Sequence, residues 1–161
     1  MNDSDPRPDV DEFQDPLEIY ETTYADALEE ALAEKTVDQI QHSPYLAVPS
    51  TTTVRDAVKA LAEHQVACLL VTENSQLVGL FSDRDVLDRV ALEYDRLADE
   101  PISKVMTANP VYVHDTDSTA AALSVMAISG FRHVPVLDLN GELKGIVSPQ
   151  RVTEFLTQHF G

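Results

Sequence analysis

Apolar residues recur along the chain in two alternating rhythms. From residue 46 a short apolar stretch, Leu46-Ala47-Val48, gives way to helical spacing at Val54, Ala57, Val58 and Leu61. Two nearly continuous apolar runs follow, at residues 67–72 and 76–81, and helical spacing returns at Val86, Leu87 and Val90. This predicts a strand, a helix capped by Thr53, a hairpin turning through the polar Glu73-Asn74-Ser75, and a helix over residues 83–97. Hairpin strands this apolar have no wet face, so helices should cover their sheet.

The same succession comes a second time. A strand at Val111-Tyr112-Val113 leads to a helix capped by Ser118, hairpin strands at residues 132–137 and 142–147 around the turn signal Asn140-Gly141, and a helix from Pro149 to residue 159. Gly79-Leu80-Phe81-Ser82 recurs as Gly145-Ile146-Val147-Ser148 at an offset of 66. Upstream the offset is 65, pairing Val48 with Val113, Thr51 with Thr116, Ala57 with Ala122 and Val71 with Val136, so one extra residue falls in the second hairpin turn. A short helical turn opens each copy, at Val37 and Ile40 and at Ile102, Val105 and Met106, and Asp99-Glu100-Pro101 forms the linker. The predicted units are residues 36–98 and 99–161.

Ahead of the repeat, residues 1–14 hold almost no apolar side chains and read as a disordered acidic tail. Asp15-Pro16-Leu17-Glu18 then offers a capping box, predicting an N-terminal helix over residues 15–35 whose apolar face (Leu17, Tyr20, Tyr24, Ala27, Leu28, Ala31) needs a partner surface. By this contrast the tail is dispensable for folding and the helix is not.

Charge sharpens the picture. The net charge is −17, and residues 1–38 hold thirteen of the 28 acids and two of the 11 bases. No basic stripe interleaved with aromatics exists to track a nucleic-acid backbone. No apolar run is long enough for a membrane span and the N-terminus does not resemble a signal peptide, so the expectation is a soluble, cytoplasmic protein without nucleic-acid or membrane partners. The single Cys68 lies in an apolar run and reads as a small core residue.

Candidate chemistry sits where each hairpin runs into a helix. Ser82 can cap the helix, its backbone N–H groups point outward, and Asp85 stands one turn in, where a carboxylate could hold a vicinal diol; the alternative is an ordinary capped helix with acids in its first turn. No nucleophile stands at motif spacing from a base and no phosphate-cradling glycine loop occurs, so nothing argues for catalysis. His42, His64, His114 and His159 lack metal-ligand spacing, and Asp115-Thr116-Asp117 reads as a loop before a capped helix; no metal or cofactor is expected.

Residues 36–160 resemble a tandem pair of cystathionine-β-synthase (CBS) domains, a Bateman module. The resemblance is carried by Lys104-Val105-Met106-Thr107-Ala108-Asn109-Pro110-Val111, by Gly130-Phe131-Arg132-His133-Val134-Pro135-Val136 and by the two Gly-x-x-Ser segments. It implies an α/β fold of α+β type: two pseudo-twofold-related units, each a three-stranded sheet with two helices, leaving two clefts that commonly take adenosine compounds. In the family a hydrophobic-x-hydrophobic-x-x-Thr segment of one unit faces the Gly-x-x-Ser-x-x-Asp segment of the other. The resemblance thus implies one competent cleft, with Asp85 on the ribose, Ser82, Arg84 and Thr116 toward ribose or phosphate, Val111 and Val113 as the apolar pair, and Arg132 and His133 on phosphate. The second cleft, with Val48, Thr51 and Ser148, has Arg151 where the ribose acid belongs and is doubtful. Arg132 and His133 could instead merely edge a strand, and Arg84 could pair with neighbouring acids.

Two functions are weighed. One is a sensor module binding AMP, ADP, ATP or S-adenosylmethionine and acting on an unidentified regulated protein. The other is a ligand-free homodimeric scaffold that docks a partner through the N-terminal helix. In either case the resemblance implies a homodimer, expected through helix faces around Val86, Val90, Val152 and Phe155.

Overall fold

The computed structural model of the chain describes residues 23–41 and 44–160. Its first helix, α1 (Ala27–Glu34), is capped by Asp26, whose extended backbone brings its carboxylate to the N–H groups of Leu28 at 3.0 Å and Glu29 at 2.8 Å. Residues 23–26 are not helical, so the helix is shorter here than the predicted 15–35. A cap at Asp26 satisfies two orphan N–H groups at once and stops the helix from extending backwards. The predicted acidic tail and the Asp15 capping box lie outside the described residues.

The repeat is visible in the sheets. β1 (Ala47–Pro49) pairs parallel with β2 (Cys68–Glu73), which pairs antiparallel with β3 (Gln76–Ser82); a second sheet repeats this order. Between them lies β4 (Thr107–Ala108), and the second sheet is built from β5 (Val113–His114), β6 (Val134–Leu137) and β7 (Leu143–Val147). The central strands share an irregularity, with the register slipping between Val71 and Thr72 and again between Val136 and Leu137. Only the second sheet is three-stranded as predicted; the first gains β4, which pairs Gly79 with Ala108 and Leu80 with Thr107. A Cβ on Gly79 would stand 2.5 Å from Met106 Sδ and 3.0 Å from the Thr107 carbonyl, so a glycine is what lets this strand approach.

Helix α2 (Val54–Glu63) starts under its Thr53 cap, and α5 (Thr119–Ser129) starts under Ser118 and stops at Gly130 in the left-handed region. The final helix α6 spans Pro149–Phe160. The predicted helix over 83–97 is broken into α3 (Asp83–Asp85), a wide π turn at Val86–Val90 closed by the Ala91 N–H on the Val86 carbonyl, a 3-10 turn, and α4 (Tyr94–Leu97). Val90 and Leu97 both reach the core this way, while Leu92 is left 99% exposed.

Each unit borrows its opening segment from the other's sequence neighbourhood. Leu28, Ala31, Val37 and Ile40 pack with Val113, Ala122, Val134 and Phe155 of the second unit, where the Val37 N–H donates to Asp117 and the Thr119 N–H to Lys35. Conversely Ile102 and Val105 pack with Val54, Leu69 and Phe81 of the first, and the Val54 N–H donates to Glu100. A third cluster, Cys68, Leu70, Leu80 and Ile146 with Tyr45, Leu77 and Leu143, joins the sheets, and the Tyr45 hydroxyl donates to the Leu143 carbonyl at 3.0 Å. Alternate β2 residues thus serve two cores, which is why that strand has no polar face. Among the described residues no helix is long and apolar enough to cross a membrane.

Candidate functional site

A cleft of about 440 Å³ opens beside this inter-sheet cluster. Its apolar wall is formed by Tyr45 and Leu46 before β1, Val66 and Ala67 before β2, and Cys68, Leu70 and Ile146. Polar groups converge from three places: Asp83 at the start of α3, Arg132 and His133 leading into β6, and Ser148 through Arg151 at the start of α6. An apolar wall with a few aimed polar groups is the usual make-up of a small-molecule site, and the volume is within the usual range.

Burial sets the charge state. His133 is held below the ordinary imidazole value, chiefly by desolvation; the Arg132 charge adds to this and Asp83 opposes it. Burial, with Asp85 and Asp83 contributing, pushes the Cys68 thiol up to about 12, so the sulfur in the cleft wall is a neutral thiol at pH 7. The fixed cations of the cleft are therefore Arg132 and Arg151. Arg151 also pairs with Glu154 at 3.0 Å, and its N–H reaches the Ser148 hydroxyl at 3.4 Å.

The structure gathers the sequence-predicted residues differently from the expectation. Arg132 and His133 share a cleft with Ser148 and Arg151, the set assigned to the doubtful site, and not with Ser82 and Asp85. Asp85 is 5% exposed and already engaged: Oδ2 accepts from the Ser82 N–H at 2.9 Å and its hydroxyl at 3.1 Å, Oδ1 accepts from the Thr107 hydroxyl at 3.0 Å, and Arg89 lies 3.6 Å away. Arg89 in turn donates to the carbonyls of Val105 and Met106. Arg84 is exposed and pairs with Asp88. Val111 and Thr116 are exposed and Val113 is buried in the second core. Val48 packs on the first core and Thr51 is exposed. None of these last five, nor Ser82 or Asp85, lines the cleft.

Sequence reasoning missed three contributors. Asp83 was passed over for Asp85, although it stands next to the cap; Thr107 and Arg89 were missed because their meeting with Asp85 depends on β4, a two-residue strand without a pattern of its own. Among the described residues no group of three His, Cys, Asp or Glu side chains could hold a metal ion.

Comparison with known proteins bears on this architecture. The CBS domain family model matches residues 37–92 and 102–158. The CBS domain-containing protein CBSCBSPB1 of Arabidopsis thaliana is 40% identical over 111 residues, 68% of this chain; the match spans about a fifth (20%) of that protein's length. Among solved structures, CBSX2 in complex with AMP is 28% identical with a TM-score of 0.67, over 76% of this chain and 96% of the other. A CBS domain protein of Pyrobaculum aerophilum complexed with AMP is 29% identical with a TM-score of 0.66, over 76% of this chain and 99% of the other. With both halves of the repeat matched and the two-sheet architecture shared, the chain belongs to the CBS domain family and carries its domain as a tandem pair.

Proposed function

We propose that the chain is a non-catalytic regulatory module that takes an adenosine nucleotide in the cleft between its two sheets. The observation that carries this reading is the convergence of Arg132, His133, Ser148 and Arg151 on one side of a cleft whose other side is apolar. A nucleotide has that division: a flat base that gains from burial against Leu46, Val66 and Ile146, and phosphate that gains from arginine forks. AMP in the two related structures supports the ligand class.

In this reading the engaged Asp85 ties β4 to α3, and ligand recognition falls to the cleft with Arg132. The module acts by changing its fit to a regulated protein when the cleft fills, and it self-associates through two exposed apolar side chains, Leu87 in the π turn and Leu92 just after it. Of the residues expected on the self-association faces, Val90 and Phe155 are core, whereas Val86 and Val152 are half-buried.

Calorimetric titration of the whole chain with AMP tests the reading. One site per chain is expected, weakened about tenfold or more by Arg132→Ala through loss of a charge-assisted contact. Absence of binding to AMP, ADP, ATP and S-adenosylmethionine alike would leave the scaffold reading in its place.

A further inference from the structure

We propose that the acidic segment at residues 1–22 docks in an apolar groove between α5 and α6 of its own chain, where it competes with the nucleotide for Arg132. Only the competition rests on the nucleotide reading given above; the docking does not. The groove measures about 460 Å³ and is lined by Leu123, Met126 and Ala127 of α5, by Phe131 and Arg132, and by Val152 of α6. Helix α5 carries no charged side chain and is almost wholly apolar, yet only Thr119 and Ala122 are buried, and Ile128 is 87% exposed. A helix of that composition belongs under cover.

Position, reach and charge select the occupant. The described chain begins at Thr23, just ahead of the Asp26 cap of α1, and Leu28 and Leu32 of α1 pack against the same core as Met126, Phe131 and Val152 of the groove. The stretch from Phe13 to Thr22 extends to roughly 33 Å at about 3.3 Å per residue, against about 12 Å for the whole of α1. Residues 1–22 offer Phe13, Leu17, Ile19 and Tyr20 to the apolar lining, and they carry eight acidic residues and one arginine. The groove holds no carboxylate, and Arg132 is its charged group. Arg84 has Asp88 and Arg151 has Glu154, but Arg132 pairs with no carboxylate among the described residues. An acid of the segment supplies that partner through a charge-assisted contact. Arg132 also lines the nucleotide cleft, so a carboxylate that holds it in the groove takes it from a phosphate.

Paramagnetic broadening in the full chain tests this, with a nitroxide on Gln14→Cys in a Cys68→Ala background. The amide signals of Leu123, Met126 and Ala127 should broaden more than those of α2, and saturating AMP should reduce the effect. Ala127 is exposed, so Ala127→Glu sets an acid in the groove without disturbing the core and should remove the broadening. Phe13→Ser combined with Leu17→Ser should remove it too. That double variant leaves the cleft intact and should bind AMP about tenfold more tightly, the gain when a site blocked about nine times in ten is freed. No broadening at α5, or broadening that survives Ala127→Glu, overturns the docking. So does broadening passed from a labelled chain to an unlabelled, isotope-enriched one in a mixture, which puts a second copy in the groove. Equal AMP affinity in the native chain and the double variant overturns the competition alone. No AMP binding by either removes the nucleotide reading, and the broadening still decides the docking.

Discussion

The hydroxyl of Thr107 donates to the buried carboxylate of Asp85 across 22 residues of chain, at 3.0 Å. The bond fastens β4 to the start of α3, and Arg89 closes it from the other side by holding the carbonyls of Val105 and Met106. Asp85→Ala leaves the Ser82 N–H and the Thr107 hydroxyl without their acceptor. A loss of about 1–3 kcal/mol in unfolding free energy follows, read by chemical denaturation, with the smaller change expected from Thr107→Val. If Asp85→Ala lowered AMP affinity and left stability untouched, the carboxylate would belong to a ligand instead.

Gly79→Ala tests the same junction from below. The new methyl meets the Thr107 carbonyl and the Met106 sulfur, and only the sulfur can swing away. Destabilisation of about 1–3 kcal/mol is expected, together with faster amide exchange at Thr107 and Ala108. Unchanged exchange there would mean that the backbone absorbs the methyl.

Stability should fall on both sides of neutrality for identifiable reasons. The Cys68 thiol has an ordinary value of 9.0 and is raised in the folded chain, so above pH 9 the unfolded chain releases a proton that the folded chain keeps, and stability is lost as pH rises toward about 12. His133 has the opposite sign: its value is lowered on folding, so its contribution is present above the ordinary 6.5 and is lost as pH falls below it. Denaturation against pH should flatten on the alkaline side in Cys68→Ala and on the acid side in His133→Asn.

Leu87 is 72% and Leu92 99% exposed, on an irregular segment. Light scattering at micromolar concentrations should give the mass of a dimer for the native chain and of a monomer for Leu87→Glu combined with Leu92→Glu. A native monomer would refute the proposed self-association.

Much of this architecture is legible in residue spacing alone. Thr53, Ser82 and Ser118 each cap the helix predicted for them, because a capping side chain acts on N–H groups two or three residues away. Both hairpins are equally local. What the spacing hides is long-range: β4 on β3, the pairing of Arg132 with Ser148 in one cleft, and the burial of Asp85 under Thr107. In each case the deciding contact is made by residues far apart in sequence, and no periodicity encodes it. The break in the helix over 83–97 was hidden for another reason, since a π turn and an α turn carry the same apolar residues.

The exchange of opening segments also has a consequence for synthesis. Leu28, Ala31, Val37 and Ile40 leave the ribosome early, but the strands and helices that bury them extend to Phe155. Until Phe155 has emerged, these side chains lack part of their cover, which makes the nascent chain open to mispairing with its neighbours. The first unit is closer to self-sufficient, being complete once β4 has appeared at Ala108. The first unit can therefore close before the second, and α1 has its docking surface only after α6 has been made.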